Sequence, residues 1–312
     1  MSLEDIEVNY GNGFHLAGII PVAGQPMDFN MPWHDCFMPI GHNYLAIERS
    51  IYECSVAGCE TIWIVCHREM QPLLRQRLGD WVHDVAFLPS SRKYFTPFPS
   101  EQERQIPIYY VPIHPKDRDR RDCLAWSVIY GSLRAFHVSK MISRWAVPDK
   151  YYVSFPWGIY PVGGLRKRRD LISCKNNFYI QYDGKTIRDG EYLGFTFGKE
   201  EFKAFRHVIR DEGTGHFKPG SYYTKEGGFV GEALPLNERW SARNFPLDKV
   251  FGCVNMGGSA TMDLPWYYRI DSWANYHNYM SSPQSKLVKK PTYIKYHEWS
   301  PVGVDSEDLQ DV

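Results

Sequence analysis

The sequence predicts an α/β protein in which a mostly parallel central sheet is flanked by helices. Two observations in the first half support this: short apolar runs typical of buried strands alternate with segments of helical period, and glycines follow several of them. In the second half, strand-like segments around an Asp-Gly turn predict an antiparallel elaboration from about residue 175 onward.

The first predicted unit is a strand, a helix and a second strand. The run LAGIIPVAG at 16–24 is typical of a buried strand that ends in a glycine turn, although Pro21 cannot donate to a central ladder. The apolar residues that follow at helical spacing are Tyr44, Ile47, Ile51 and Cys54. Gly58 is placed to end this helix, and TIWIVC at 61–66 predicts the next strand. Such a unit favours parallel strands with a right-handed crossover.

The same alternation continues through the first half of the chain. IPIYYVPI at 106–113 predicts a third strand, a helix is expected over 124–138, and KYYVSF at 150–155 predicts a fourth strand. The segment 25–43 between the first strand and the first helix contains three prolines and no sustained period. We interpret it as an irregular loop, and connections of this length are often functional.

The pattern changes after Gly163-Gly164. NFYIQYDGKTI and EYLGFTFG predict antiparallel strands around an Asp183-Gly184 turn, and a helix is expected over 199–210. Residues 211–265 are rich in Gly, Pro and Asn, which favours long excursions, and a last helix is expected over 272–280.

We treat residues 1–312 as a single domain. It has a nucleotide-binding half at 1–160, an elaborated second half at 161–304 and an exposed acidic tail, DSEDLQDV, at 305–312.

Composition excludes several classes of protein. Lys plus Arg and Asp plus Glu are both 36, and this balance argues against nucleic-acid binding through bulk positive charge. With 43% apolar and 23% charged residues, the chain can build a core and is not disordered throughout. Seven cysteines and a start without a basic, apolar leader predict reduced thiols and a cytoplasmic location, and we expect no membrane span.

The order of several segments resembles that of the sugar-phosphate nucleotidyltransferases. The matching segments are Val22-Ala23-Gly24, Met38-Pro39-Ile40-Gly41, the helix that ends in Ala57-Gly58, SVIYGSLRAF at 127–136 and RIDSWANY at 269–276. The resemblance covers most of the chain and implies a Rossmann-like nucleotidyltransferase fold. It also implies a nucleoside triphosphate or nucleotide sugar as ligand, and Mg²⁺ as cofactor if the protein is active.

The family pattern also assigns candidate residues and shows departures. It places Gly24 and Gln25 at the nucleotide and Asp271 at a metal, whereas no catalytic residue can be named. After Gly24, the loop carries Pro26 and Asp28 where the family has a glycine-rich loop with an arginine. The family's Pro-Lys step is Pro32-Trp33, and the strand-end segment FPWG at 155–158 contains no acid. Losing cations and a metal ligand predicts impaired phosphoryl transfer, because such groups stabilise transition-state charge.

Other groups of residues allow a functional and a structural interpretation. The basic runs 116–121 and 166–169 could meet phosphates, but neighbouring aspartates favour a solvated face. Cys54, Cys59 and Cys66 lack zinc-knuckle spacing, so buried thiols are expected. His34-Asp35-Cys36 could support a nucleophile, yet ordinary loop residues are favoured. Gly257-Gly258-Ser259 favours a plain turn over an anion nest. The aromatic residues of 266–279 could stack on a base or sugar, form core, or form an interface.

Two hypotheses of function follow. In the first, the chain is a divergent nucleotidyltransferase-like protein that binds a nucleotide or nucleotide sugar at the carboxyl ends of the strands. In the second, an inactive homologue has been reused as a structural or binding subunit with protein partners, for example in a viral particle. Acidic and basic groups converging at the strand ends would favour the first hypothesis, and a large exposed apolar patch within 211–300 would favour the second.

Overall fold

The computed structural model describes most of the chain. The described residues are 14–24, 34–85, 105–118, 123–143, 146–215, 222–223, 229–235, 240–241, 245–254 and 256–291.

Strands and helices alternate through the first half and are intermixed with irregular segments afterwards. The strands of the described residues are β1 (Leu16–Pro21), β2 (Pro39–Gly41), β3 (Tyr44–Leu45), β4 (Thr61–Cys66), β5 (Trp81–His83), β6 (Gln105–Pro112), β7 (Lys150–Val153), β8 (Gly158–Ile159), β9 (Phe178–Gln181), β10 (Phe195–Phe197), β11 (Thr214–Gly215), β12 (Tyr222–Tyr223), β13 (Phe229–Val230), β14 (Trp240–Ser241), β15 (Ala260–Asp263) and β16 (Tyr268–Arg269). The helices are α1 (Ala46–Ala57), α2 (Gln71–Leu78), α3 (Pro115–Arg118), α4 (Leu124–Ile142), α5 (Arg169–Ile172), α6 (Lys199–Gly213), α7 (Leu247–Phe251) and α8 (Trp273–Ser281).

The core of the molecule is an eight-stranded sheet with the order β15-β9-β10-β7-β1-β4-β6-β5. β1 is parallel to β4 and β7, β4 is parallel to β6, and β9 is parallel to β15. Within this eight-stranded sheet, the antiparallel strands are β10, which lies between β7 and β9, and β5 at the far edge. The predicted fold class is therefore confirmed: a mostly parallel sheet with helices and an antiparallel elaboration.

The sheet is covered on both faces by helices that approach closely. A Cβ atom at Gly18 of β1 would lie 2.9 Å from the Cys54 sulfur of α1. A Cβ atom at Gly131 of α4 would lie 2.6 Å from Val65 and 3.1 Å from Ile19. Because Gly18 and Ile19 are consecutive in a strand, they face opposite sides of the sheet. α1 and α4 therefore cover opposite faces.

Helix boundaries agree with the sequence in part. α1 begins at Ala46, where Glu48 accepts a hydrogen bond from the Leu45 amide at 2.9 Å, and it ends at Gly58 in the left-handed conformation, as predicted. Tyr44 belongs to β3 rather than to this helix. α4 continues to Ile142 instead of Val138, and α6 continues to Gly213 instead of Arg210.

Two predictions for the second half need correction. The Asp183-Gly184 turn forms, with a local bridge between Tyr182 and Lys185, but it does not join the two antiparallel strands directly. A 3₁₀ turn at Ile187–Asp189 follows it before β10 begins. β15 lies within the region predicted as excursions, and it pairs with β9 at the edge of the sheet.

The predictions for the acidic tail and for the division into domains are not tested by the described residues. The acidic tail at 305–312 lies outside the described residues. The assignment of one domain with two halves stays a prediction. None of the helices in the described ranges is long and apolar enough to cross a membrane.

Candidate functional site

The carboxyl ends of the parallel strands define one edge of the sheet. β9 also ends at this edge, because it is antiparallel to β10, which is itself antiparallel to β7. The chain leaves β1 toward β4 and β6 on one side, whereas β7 lies on the other side. The crevice between the ends of β1 and β7 is therefore the topological switch point, where open α/β sheets bind ligands.

The turn after β1 is tightly held at this crevice. The amides of Val22 and Ala23 both donate to the Val65 carbonyl, at 2.8 and 3.0 Å. The Ala23 carbonyl accepts from the Ser127 hydroxyl of α4 at 2.8 Å. Gly24 adopts a left-handed backbone with φ 77°, and its amide has no partner within the described part of the chain. This turn can therefore offer the Gly24 amide to a ligand, but not those of Val22 and Ala23.

His34 lies between the ends of β4 and β7. Its Nδ1 accepts from the Cys36 amide at 3.2 Å, which leaves Nε2 as the protonated nitrogen of the neutral ring. Its ring centroid is 6.4 Å from that of Trp157, which follows β7. Burial, and secondly the nearby His67, lowers the pKa of His34 to about 4. At neutral pH, His34 is thus an uncharged hydrogen-bond donor.

The segment after β7 connects the crevice to the second half of the chain. The Ser154 amide donates to the Ile19 carbonyl at 3.1 Å, and its hydroxyl donates to Glu53 at 2.8 Å. Trp157 is fully buried, and its carbonyl accepts from the Ile270 amide at 2.9 Å. This hydrogen bond places Asp271, the next residue after Ile270, beside the segment that follows β7.

Charged groups of both signs converge there around Arg269. Its guanidinium donates to the Asp271 carboxylate and, at 3.2 Å, to the Gly190 carbonyl. It also lies 4.4 Å above the Tyr192 ring and 3.9 Å from the Glu191 carboxylate. Arg269 keeps 37% of its side chain exposed, so its remaining donors are accessible. We call Arg269, Asp271 and Glu191 the Arg269 cluster.

A cleft of about 360 Å³ opens beside the Arg269 cluster. Its residues include tyrosines, amides and balanced charges, and they are Tyr182, Asp183, Lys185, Glu191, Tyr267, Tyr268, Arg269, Asn275 and Asn278. The Tyr267 hydroxyl donates to Glu191 at 3.2 Å, and burial followed by the Glu191 charge raises its pKa well above the ordinary value. We call this site the tyrosine cleft. Aromatic faces beside neutral and paired polar groups suit a ligand with apolar faces and hydroxyl groups.

The family resemblance implies a magnesium ion, and the residues around Asp271 show which kind of magnesium site they could form. Asp271 offers a hard oxygen ligand, but its oxygens already accept from Arg269 and, at 2.7 Å, from Asn275. No group of three or more His, Cys, Asp or Glu residues within the described ranges is arranged to hold a metal. Mg²⁺ is commonly bound by one or two carboxylates together with substrate phosphates. Asp271 therefore fits a metal that arrives with a phosphorylated ligand, and not a resident ion.

Two of the three ligand-binding residues predicted from the sequence lie at the carboxyl edge of the sheet. Gly24 lies at the switch point and Asp271 at the same edge, whereas Gln25 lies outside the described residues. Their roles as nucleotide and metal ligands stay predictions. The turn at Gly257-Gly258-Ser259 is confirmed: Gly258 has φ 76°, and the Ser259 amide donates to the Met256 carbonyl.

In the basic run 166–169, one arginine stabilises the fold. Arg169 donates to the Val56 carbonyl at the end of α1 and pairs with Asp84 at 3.1 Å. In the cluster at 116–121, the arginine side chains lie outside the described part of the chain.

Sequence reasoning did not find Glu191, Arg269 or Tyr182. Arg269 and Glu191 are 78 positions apart by their numbers. Arg269 opens the family-like segment RIDSWANY and Glu191 opens the predicted strand EYLGFTFG, but neither pattern assigns the residue a functional role. The sequence offered His34 as a possible partner of a cysteine nucleophile or, preferably, as an ordinary loop residue, and did not indicate its position in the crevice. The signal that could have found Arg269 is its position two residues before Asp271.

Comparisons with known proteins agree with the architecture. A putative glucose-1-phosphate thymidylyltransferase from Bacillus anthracis, solved in complex with a sucrose, matches with a TM-score of 0.50 and 10% identity over 88% of this chain and 97% of that chain. A UDP-glucose pyrophosphorylase in its apo form matches with a TM-score of 0.50 and 11% identity over 88% of this chain and 100% of that chain. At such identities the likeness shows the fold alone, which is that of sugar-phosphate nucleotidyltransferases. No protein-family model and no curated protein matches the sequence.

Proposed function

We propose that this chain, which has a nucleotidyltransferase-like fold, binds a nucleotide sugar along the carboxyl edge of its sheet. The observation that carries the proposal is the convergence of Arg269, Asp271 and Glu191 beside the tyrosine cleft. This is the convergence of opposite charges at the strand ends that favours the first hypothesis. The sugar-phosphate nucleotidyltransferases of similar fold support the choice of ligand class.

Each part of the ligand meets a different part of this edge. The sugar lies in the tyrosine cleft, where Tyr182 and Tyr268 offer ring faces and Asn275 and Asn278 offer amides for hydroxyl groups. The phosphates lie toward Arg269, whose planar guanidinium group can donate paired hydrogen bonds to phosphate oxygens. The nucleoside lies toward Gly24, with Gln25 next in the chain.

A magnesium ion, when bound, would neutralise charge on the phosphates, and Asp271 is the residue that would hold it. The segment Ser154 to Gly158 provides no second carboxylate. Because Asp271 also pairs with Arg269, we expect binding to be retained better than transfer of a nucleotidyl group.

The proposal is tested by thermal shift with UDP-glucose, dTDP-glucose, ADP-glucose, GDP-mannose and the nucleoside triphosphates, each with and without Mg²⁺. A ligand that binds the folded state raises the melting temperature. For the ligand that does so, Tyr182→Ala should weaken binding about threefold to tenfold. Arg269→Gln should weaken it about tenfold or more.

Phe136→Ala is the matched control, because Phe136 and Tyr182 are exposed to nearly the same extent, at 37% and 36%. Binding in this variant should equal that of the wild type. If no nucleotide sugar or triphosphate shifts the melting temperature at millimolar concentration, or if Tyr182→Ala and Arg269→Gln bind as tightly as Phe136→Ala, the proposal is rejected.

A second candidate function has one observation in its favour. The last turn of α4 exposes Met141 and Ile142 by 87% and 70%, although this apolar end lies outside the 211–300 region in which such a patch was expected. A subunit of a larger assembly could use this surface. Ile142→Glu should then abolish self-association or partner binding in sedimentation experiments, and an unchanged profile would reject this candidate.

A further inference from the structure

A second cleft, far from the Arg269 cluster, lies beside the part of strand β6 that extends past its pairing with β5. β5 pairs with β6 only at Gln105, Ile106 and Pro107. Beyond this point, a groove of about 370 Å³ opens between β6, α2 and α4. We call it the β6 groove, and it shares no residue with the tyrosine cleft.

The floor of the β6 groove is a stacked aromatic pair. The rings of Trp63 and Tyr109 lie with their centroids 4.3 Å apart and an interplanar angle of 22°. Trp63 is buried at 3% exposure, whereas Tyr109 keeps 36% of its surface accessible. Trp63 and Tyr109 are register partners on neighbouring strands, so the sheet itself fixes the stack. The pair is a rigid platform with an accessible aromatic ring.

Two arginines of the β6 groove carry positive charge. Arg134 of α4 lies 4.9 Å above the Tyr130 ring, and Arg75 of α2 lies 5.6 Å from the Tyr110 ring. Arg75 pairs with Asp80, but Arg134 has no ion-pair partner among the described residues. The groove-lining residues include no aspartate or glutamate. The groove is therefore aromatic and cationic.

We propose that the β6 groove binds a nucleoside monophosphate. Its base stacks on Tyr109 and extends the Trp63–Tyr109 pair, because every nucleobase offers a π-face. Its phosphate pairs with Arg134, whose guanidinium matches phosphate geometry and is held in place by Tyr130. The volume of about 370 Å³ suits a single small ligand. This site is independent of the proposed function.

The choice of ligand rests on charge and shape together. A neutral apolar ligand would leave Arg134 without a counter-charge, and a simple anion would leave the aromatic platform uncovered. A nucleoside monophosphate satisfies both groups within one molecule. A peptide with aromatic and acidic side chains is the competing occupant, and the experiment separates it by using the nucleotide alone.

The test is isothermal titration of the full chain with AMP, UMP, adenosine and inorganic phosphate. We expect AMP and UMP to bind, and adenosine and phosphate to bind at least tenfold more weakly. Tyr109→Ala should weaken AMP binding about tenfold or more, since a stacked base typically contributes this much. Tyr109→Phe keeps the ring and should bind AMP like the wild type. Arg134→Gln should weaken binding about threefold to tenfold.

Matched controls locate the site. Lys140→Gln removes one positive charge from the same helix outside the groove, and Phe136→Ala removes an equally exposed ring. Both variants should leave the affinity for AMP unchanged.

Several results would overturn the proposal. They are failure of AMP and UMP to bind at millimolar concentration, equal affinity in Tyr109→Ala and wild type, and loss of binding in Arg269→Gln but not in Tyr109→Ala. The last result would assign the nucleotide to the carboxyl edge, and it would leave the proposed function standing.

Discussion

Arg49 and Glu53 form an ion pair one helical turn apart in α1, with 3.1 Å between Nη1 and Oε2, and both side chains are almost fully buried at 2% and 0% exposure. The Glu53 carboxylate also accepts from the hydroxyls of Tyr152 and Tyr160, each at 2.6 Å. Arg49 in turn lies 4.1 Å above the Tyr160 ring. The pair therefore connects α1 to β7 and to the segment that follows β7, in which Trp157 is hydrogen-bonded to Ile270 next to Asp271.

The first prediction concerns this buried pair. Arg49→Met should lower the free energy of unfolding by about 3–5 kcal/mol, because it leaves a buried carboxylate without its counter-charge. Glu53→Leu should cost a similar amount for the converse reason. Urea denaturation at neutral pH measures both changes.

The double variant Arg49→Met, Glu53→Leu provides the control. It removes both charges, so its loss should be clearly smaller than the sum of the single losses. Single losses below about 1 kcal/mol, or strict additivity, would contradict a coupled buried ion pair.

The second prediction concerns the contact between α4 and the sheet. Gly→Ala within a helix ordinarily stabilises a protein by about 1 kcal/mol. At Gly131, however, the new Cβ would lie 2.6 Å from Val65, in a core without free space. Gly131→Ala should therefore destabilise the fold by roughly 1–3 kcal/mol in thermal or urea denaturation.

Gly163→Ala is the control for this substitution, since nothing lies within 4 Å of a Cβ at Gly163. Its stability should stay within about 0.5 kcal/mol of the wild type. Stabilisation by Gly131→Ala would show that Val65 and Ile19 can move aside.

The sequence predicts elements whose signals are local, and it misses those that depend on distant partners. β4 was predicted at its observed bounds because TIWIVC is an apolar, β-branched run bounded by turn residues. The end of α1 was predicted because Gly58 can adopt the left-handed conformation. β15 was missed because glycines and prolines flank it, and its strand character comes from pairing with β9.

The residues of the candidate site also divide into those with a local sequence signal and those that depend on distant partners. Gly24 and Asp271 were found through a family pattern of local motifs. Glu191 and Arg269 become functional candidates only when β10 and β16 bring them together at one edge of the sheet. Arg49 and Glu53 look like an ordinary surface pair in the sequence, because nothing local shows that β7 covers them.

The third prediction concerns Lys150 at the start of β7. It is 2% exposed, and its ammonium donates to the carbonyls of Cys174 and Asn176. Burial lowers its pKa to about 8 from 10.5. Between these values the unfolded chain is protonated at Lys150 and the folded chain is not, so this residue makes stability rise with pH.

Lys150→Met removes this titration. The free energy of unfolding of the wild type, minus that of Lys150→Met, should therefore increase by about 2 kcal/mol between pH 7.5 and pH 10. Urea denaturation across this range measures the difference, in which other titrating groups cancel. A difference that stays constant with pH would refute the lowered pKa.

The last prediction concerns His34 in the crevice. Its pKa is about 4 in the folded chain, lowered by burial and then by His67, against 6.5 in the unfolded chain. Above pH 6.5 both states are neutral at this residue, so it contributes no pH dependence there. Between pH 6.5 and pH 4 the unfolded chain binds the proton first, and stability falls as the pH falls. His34 should account for up to about 3 kcal/mol of acid destabilisation over this range.

His34→Asn isolates this effect, since an asparagine oxygen can replace Nδ1 as the acceptor for the Cys36 amide. The variant should unfold less steeply with acid between pH 6.5 and pH 4.5 in urea titrations, whereas His137→Asn, at an exposed position of α4, is the control for losing one histidine. A parallel acid dependence in His34→Asn and wild type would show that His34 is protonated as readily in the folded chain as in the unfolded one. It would then be a cation in mild acid, and not the neutral donor that its burial at the switch point requires.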